Sequence, residues 1–168
     1  MLVRTATEAD WDKIYPFFKQ IVDAGETYAY PEGLSSDAAR ALWMPPSPWL
    51  TVVARSGAGD ATPGSGIAGS ATMCPNRPGR GAHIATASFM VAPHAQGQGV
   101  GRRLGERVIE WAGATGYRGI QFNAVVETNT AAVHLWKALG FEIIGTVPGA
   151  FDHRRYGAVG LHVMFRPL

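Results

Sequence analysis

Gln96-Gly97-Gln98-Gly99-Val100-Gly101 stands directly between a run of strand character that ends near Val91 and an amphipathic run that begins near Val100. Glycine has no Cβ, so these residues let main-chain N–H groups approach a bound group closely. The first N–H groups of a helix lack internal partners, and negative charge is favoured at that end. Together these features suit a phosphate, and Arg102 and Arg103 add positive charge beside them. Charged hydrogen bonds contribute about 1.5–3 kcal/mol each, so several anchor a diphosphate largely through main chain. The same glycines also suit a tight strand-to-helix turn that needs small residues only for packing. A P-loop requires Lys followed by Ser or Thr after the last glycine, and Arg102-Arg103 stand there instead. A dinucleotide fold places its glycines after the first strand of a parallel sheet, whereas several strand candidates precede these.

Downstream, Val100, Leu104, Val108, Trp111 and Ala112 mark a helix, residues 119–126 a strand, and Ala131, Val133, Leu135, Trp136 and Leu139 a second helix ended by Gly140. The economical reading is a βαβ unit. Residues 141–147 and 157–165 supply two last strands, separated by residues 148–156, rich in Pro, Gly, His and Arg. Upstream, residues 2–6 read as a strand, and Thr7 with Asp10 resembles a capping box. Trp11, Ile14, Tyr15, Phe18, Ile21 and Val22 then recur at helical spacing, with Pro16 near the first turn or denting the helix and Gly25 ending it. Residues 25–34 read as a loop, and Ser36 is placed to cap a short helix over residues 37–44, stopped by Pro45 and Pro46. Residues 49–55, 67–74 and 83–91 read as strands in an antiparallel run, joined by a hairpin loop over residues 56–65 and a connection over residues 75–81.

The 168 residues, 46% hydrophobic and 17% charged, fit one domain spanning residues 1–168. A net charge of +2, from 15 Lys and Arg against 13 Asp and Glu, is too balanced for a duplex-binding face, so no nucleic-acid partner is expected. Cys74 is the single cysteine, which excludes an intrachain disulfide and a Cys-based zinc site, and no metal is expected. The N-terminal residues lack a signal-peptide pattern, and no apolar run reaches membrane-spanning length. The expectation is a cytoplasmic protein without a membrane partner.

Residues 96–101 match the acetyl-CoA motif Gln/Arg-x-x-Gly-x-Gly/Ala, and Asn129-Thr130-Ala131-Ala132-Val133-His134-Leu135-Trp136-Lys137-Ala138-Leu139-Gly140-Phe141 matches Asn-x-x-Ala-x-x-Leu-Tyr-x-x-x-Gly-Phe. In both, the chain resembles the GNAT superfamily of N-acetyltransferases. The resemblance implies an α/β (α+β) fold: a mixed, mostly antiparallel sheet of about seven strands flanked by about four helices, splayed between the fourth and fifth strands. It implies acetyl-CoA as cofactor, with the main chain around Phe89, Met90 and Val91 pairing with the pantetheine arm. Gln96, Gly97, Gln98, Gly99, Val100, Gly101 and Arg102 would hold the diphosphate. Asn129 would bond the pantetheine or a water, and it also suits an ordinary N-cap; both roles can hold together. Ala132 would leave space beside the cofactor. The family's proton-donating tyrosine is replaced by Trp136, which has no titratable proton and suits core or cofactor packing.

Gln121-Phe122-Asn123-Ala124-Val125-Val126-Glu127-Thr128-Asn129, with the Asn76 and His83 segment, is similar to a GNAT subgroup that includes fungal acetyltransferases acting on proline-like imino acids. That likeness makes Asn123 a substrate-side amide, also readable as a buried amide satisfied by main chain, and puts Thr86 where a second asparagine would stand. Tyr28, Tyr30, Thr86 and Asn123 form the candidate substrate set. Asn123, Glu127 and Glu26 are the catalytic candidates; Glu32 and a water chain are further options for the base. Residues 151–156 read as a polar loop, either receiving a substrate carboxylate through Arg154 or Arg155 or simply solvated. Cys74 reads as a core residue. The expected activity is direct acetyl transfer, in a ternary complex, to the amine of a small molecule: an amino or imino acid, or an antibiotic-like amine. A non-catalytic acyl-CoA sensor and a protein or peptide N-acetyltransferase are the alternatives. An exposed strand edge suits a homodimer.

Overall fold

The computed structural model describes residues 1–55 and 66–168; the expected hairpin loop over residues 56–65 lies outside the described residues. Strand β1 (Leu2–Thr5) leads to helix α1 (Trp11–Asp23) and helix α2 (Ser36–Trp43). Strands β2 (Leu50–Arg55), β3 (Ile67–Pro75) and β4 (Ile84–Val91) follow, then helix α3 (Val100–Thr115), strand β5 (Gly119–Val126), helix α4 (Thr130–Ala138) and strands β6 (Glu142–His153) and β7 (Gly157–Pro167).

The strands form one sheet in the order β1-β2-β3-β4-β5-β7-β6. Every neighbouring pair is antiparallel except β4 and β5, as the βαβ reading requires. Those two strands pair only at Ile84↔Gly119 and Ala85↔Ile120. Beyond Ala85 they part, leaving an opening toward their C-terminal ends.

Adjacent residues on β3 show how the two faces are covered. A Cβ on Gly69 would stand 2.8 Å from Val100 Cγ1, because α3 rests directly on the strand there. Ser70 points the other way, where its Oγ accepts from Trp43 Nε1 of α2 at 3.0 Å and donates to the Val52 carbonyl at 2.9 Å. The buried rings of Trp11, Phe18 and Trp43 pack α1 and α2 together on that face.

Arg4 of β1 makes two 2.7 Å bonds to the fully buried Asp10 carboxylate, which also accepts from the Thr7 N–H at 2.7 Å and the Thr7 hydroxyl at 3.0 Å. The bonds from Arg4 lead in holding the Asp10 carboxyl down to about 2.

Two boundaries differ from the sequence reading. Ser35 rather than Ser36 caps α2, accepting from Ala38 N at 3.2 Å, because Ser36 Oγ is taken by Trp11 Nε1 at 2.8 Å. Residues 148–153, expected to be loop, belong to β6. The register slips between Val147↔Leu161 and Phe151↔Val159, so the strand absorbs Pro148 and Gly149 as a bulge instead of ending there.

Candidate functional site

Gly97 and Gly99 take left-handed φ values of +75° and +78°, and a Cβ built on either would meet no atom within 4 Å. The turn is therefore glycine-dependent for conformation and open toward solvent, not closed by packing. Gly101 differs: a Cβ there would stand 3.0 Å from Leu135 Cδ2, so its smallness lets α3 and α4 approach. Among the described residues no acceptor takes the N–H groups of Gly97, Gly99, Val100, Gly101 or Arg102. Gln96 and Gln98 are exposed, Val100 is buried, and the Gln98 side chain donates to the His94 carbonyl at 3.0 Å. Arg103 pairs with Glu106, whereas the exposed Arg102 has no carboxylate partner among the described residues. An open, glycine-shaped cradle, N–H groups unpaired among the described residues and one unengaged guanidinium fit a diphosphate.

The opening between β4 and β5 runs from Ala85 toward this turn. Ala92 N bonds the Ala68 carbonyl and Asn76 N bonds the Ile84 carbonyl, so even-numbered residues of β4 turn their main chain toward β3. Met90 follows that alternation, and its side chain is buried in the core. Phe89 and Val91 face the opening. The Tyr28 hydroxyl reaches across to Phe89, donating to its carbonyl at 2.6 Å and accepting from its N–H at 3.0 Å. Burial, followed by the neighbouring Tyr30, raises the Tyr28 phenol far above its ordinary value, so the hydroxyl keeps its proton. Tyr28 and Tyr30 stack with centroids 5.4 Å apart, and burial raises Tyr30 as well.

On the opposite face Trp136 lies 4.5 Å from the Phe89 ring and 4.9 Å from Phe122, with Phe141 completing the cluster. It is buried, and it walls the opening on the α4 side. Asn129 Oδ1 accepts from the half-buried Ala132 N at 3.2 Å, capping α4.

Asn123 belongs to a polar chain on the tyrosine-bearing face. It accepts from Gln121 Nε2 at 2.8 Å and donates to Asn76 Oδ1 at 2.7 Å, with Thr86 Oγ1 at 3.5 Å. The structure thus brings Asn123 and Thr86 together across the two strands. Glu127 lies apart from them: its carboxylate accepts the N–H of Gly160 on β7, while its own N–H donates to the Gly160 carbonyl. It continues the β5–β7 ladder through its side chain and is engaged, not poised. Cys74 is buried, and burial pushes its thiol up to about 11, the state of an inert core residue.

Glu26 and Thr27 face Thr128, Asn129 and the β6–β7 hairpin across a cleft of about 200 Å³, with His153, Arg155 and Tyr156 on the hairpin side. Two ties fix the walls: Arg154 N donates to the Gly25 carbonyl at 2.9 Å, and the Arg154 guanidinium pairs with Glu32. Sequence reading quoted Thr128 within the run 121–129 and His153 within the loop 151–156, but gave neither a role of its own, because the wall they share forms from segments far apart in the chain. Among the described residues no group of His, Cys, Asp and Glu could hold a metal, and no helix is long and apolar enough to cross a membrane.

The profile described as the Acetyltransferase (GNAT) family matches residues 13–141. The chain is similar to the structure of a GCN5-related N-acetyltransferase from Kribbella flavida, with 58% identity and a TM-score of 0.91, covering 99% of this chain and 97% of that one. It also shares its fold with a GNAT superfamily phosphinothricin acetyltransferase from Sinorhizobium meliloti, solved in complex with AcCoA, at 23% identity, TM-score 0.83 and coverage of 99% and 88%. The N-acetyltransferase aca1 of Schizosaccharomyces pombe is 36% identical over 76 residues, 45% of this chain and only 36% of that protein's length. With the profile covering most of the chain, and with the glycine turn at the end of a parted parallel strand pair, this chain belongs to the GNAT family of acetyltransferases.

Proposed function

We propose that the protein transfers an acetyl group from acetyl-CoA to the amine of a small molecule. The observation that carries this reading is the cradle of N–H groups from Gly97, Gly99, Val100, Gly101 and Arg102, unpaired among the described residues, which opens beside the parted edge of β4. The cradle and Arg102 would hold the diphosphate, and Phe89, Val91, Asn129 and Ala132 would border the acyl-bearing arm. Acetyl-CoA, when bound, supplies a thioester open to amine attack and a thiolate that leaves tolerably near neutral pH.

The chain's own part is binding, orientation and proton handling. Trp136 packs and carries no proton to give, so the leaving thiolate departs without help from that position. Tyr28 spends its one hydroxyl proton on the Phe89 carbonyl, so its part is to hold that edge of β4 in place. Glu26 is exposed on the wall of the cleft and has no cation partner among the described residues, which favours it over Glu127 as proton acceptor. Asn123, Thr86 and Tyr30 line the acceptor's approach. A cleft of about 200 Å³ favours a small acceptor over a protein segment. A cytoplasmic setting fits this chemistry. Ile144 and Val147, exposed on the edge strand β6, suit a homodimer contact.

A thiol-release assay over a panel of amines and amino acids, beside calorimetric titration with CoA, tests the reading. Acetyl-CoA-dependent thiol release with at least one small amine supports it. CoA binding without turnover on any amine would make the protein an acyl-CoA sensor instead, and turnover only on peptides would move it to protein acetylation.

A further inference from the structure

The cleft between the Glu26 loop and the β6–β7 hairpin has four unengaged polar groups on its walls. Thr128 Oγ1 is buried and has no hydrogen-bond partner among the described residues. A buried hydroxyl left unpaired is costly, so it calls for a partner such as a water, an ion or a ligand group.

His153 is 5% exposed, and its Nδ1 accepts from the N–H groups of Arg155 at 3.1 Å and Tyr156 at 3.3 Å. A ring nitrogen that accepts two main-chain N–H groups cannot carry the proton, so the proton sits on Nε2. The ring thus brings a fixed donor to the cleft it lines.

The hairpin also divides its two arginines. Arg154 is committed to Glu32, whereas Arg155 has no carboxylate partner among the described residues and lies 5.5 Å over the Tyr156 ring. On the facing wall Glu26 is the one carboxylate, likewise unpaired among the described residues. Donors and a cation therefore line one side, and an anion lines the other. The cleft's size, about 200 Å³, falls below the roughly 300–1,000 Å³ typical of drug-sized ligands.

We infer that this cleft is a zwitterion subsite, selecting acceptors that carry a carboxylate close to the amine, as a free amino acid does. The carboxylate meets Arg155, His153 Nε2–H and the Thr128 hydroxyl, which turns the amine toward Glu26. This rests on the acetyl-transfer reading only for what happens to the amine; the binding stands separately.

The experiment pairs free L-amino acids with their methyl esters. Binding is followed by calorimetry on the CoA-loaded protein, and acetylation by thiol release, for the native chain, Arg155→Gln and Thr128→Val. Loss of one charged contact should weaken the acids about tenfold. Native protein should bind and acetylate the acid at least tenfold better than its ester, and Arg155→Gln should erase that preference by weakening only the acid. Thr128→Val should weaken the acid less and leave the ester unchanged. Esters matching acids in native protein, or an acid preference that survives Arg155→Gln, would overturn the subsite while leaving acetyl transfer intact. Acids bound through Arg155 but never acetylated would keep the subsite and overturn the transfer reading.

Discussion

The Tyr28 hydroxyl occupies both main-chain groups of Phe89, its N–H at 3.0 Å and its carbonyl at 2.6 Å, on the side of β4 that no strand covers. A side chain from the α1–α2 loop thus does for one residue what a neighbouring strand does elsewhere in the sheet. Without it those two groups would face a largely buried space unpaired.

Tyr28→Phe should therefore cost about 1–3 kcal/mol, the penalty for unpaired buried polar groups. For a chain of this size that lowers the melting temperature by about 2–4 °C per kcal/mol. Saturating CoA should recover part of the loss if the ligand takes over the Phe89 groups. Differential scanning fluorimetry with and without CoA checks both; an equal deficit in the two conditions would show that the ligand leaves Phe89 alone.

Gly99→Asp should lower CoA affinity more than a hundredfold while leaving the far-ultraviolet circular dichroism unchanged. The carboxylate would sit in the cradle and repel phosphate, and the left-handed φ of +78° adds strain of about 1–2 kcal/mol for any side chain. Gly101→Ala should instead act on stability, since its Cβ meets Leu135 rather than ligand space. Calorimetric titration of both variants separates the effects, and unchanged CoA affinity in Gly99→Asp would remove the cradle from the site.

Glu127→Gln should hold kcat and its pH profile within about threefold, because an amide oxygen still accepts the Gly160 N–H; that small factor is under 1 kcal/mol. Glu26→Gln should lower kcat at least tenfold across the range from pH 6 to pH 9. General-base catalysis contributes about a hundredfold or more when fully expressed. Initial-rate measurements from pH 6 to pH 9 decide the matter, and the reverse pattern would assign the base to Glu127.

Trp136→Tyr should leave kcat within about threefold and reduce stability by less than about 1.5 kcal/mol, as ring swaps in packed sites usually do. Restoring the family's hydroxyl brings no gain if thiolate departure is not limiting. A rise of tenfold or more in steady-state rate would show that protonation limits this enzyme.

The Arg4–Asp10 pair sets the acid limit. Asp10 is held at about 2, below the ordinary 3.8, so its contribution is present above about pH 4 and is lost as pH falls toward 2. That downward shift corresponds to about 2 kcal/mol at neutral pH. Asp10→Asn should lose that amount or more, since a partly buried Arg4 is left without its counter-charge. Urea unfolding of both proteins at pH 7 and pH 3 should show the gap narrowing at the lower pH; a constant gap would remove the charge as its source.

The chain's own order of residues determined a good deal. Alternating glycines before the α3 repeat, with Asn129 and Gly140-Phe141 bracketing α4, specify a strand-turn-helix and its return, because such signals act between residues a few positions apart. The parallel β4–β5 pair follows from them. The β6 boundary did not, since Pro148 and Gly149 carry the local signature of a loop, and only pairing with β7 holds them in a strand.

The working parts of the site lie on the other side of that line. Nothing near Glu127 in sequence tells that Gly160 will hold its carboxylate, or near Tyr28 that its hydroxyl will reach Phe89. The meeting of Glu26, Thr128 and His153 is likewise invisible along the chain. Local periodicity and turn chemistry fix elements, because their energies arise between near neighbours. Which polar groups end up paired, and which are left free to act, depends on contacts between distant segments, and these exist only once the sheet has closed around its core.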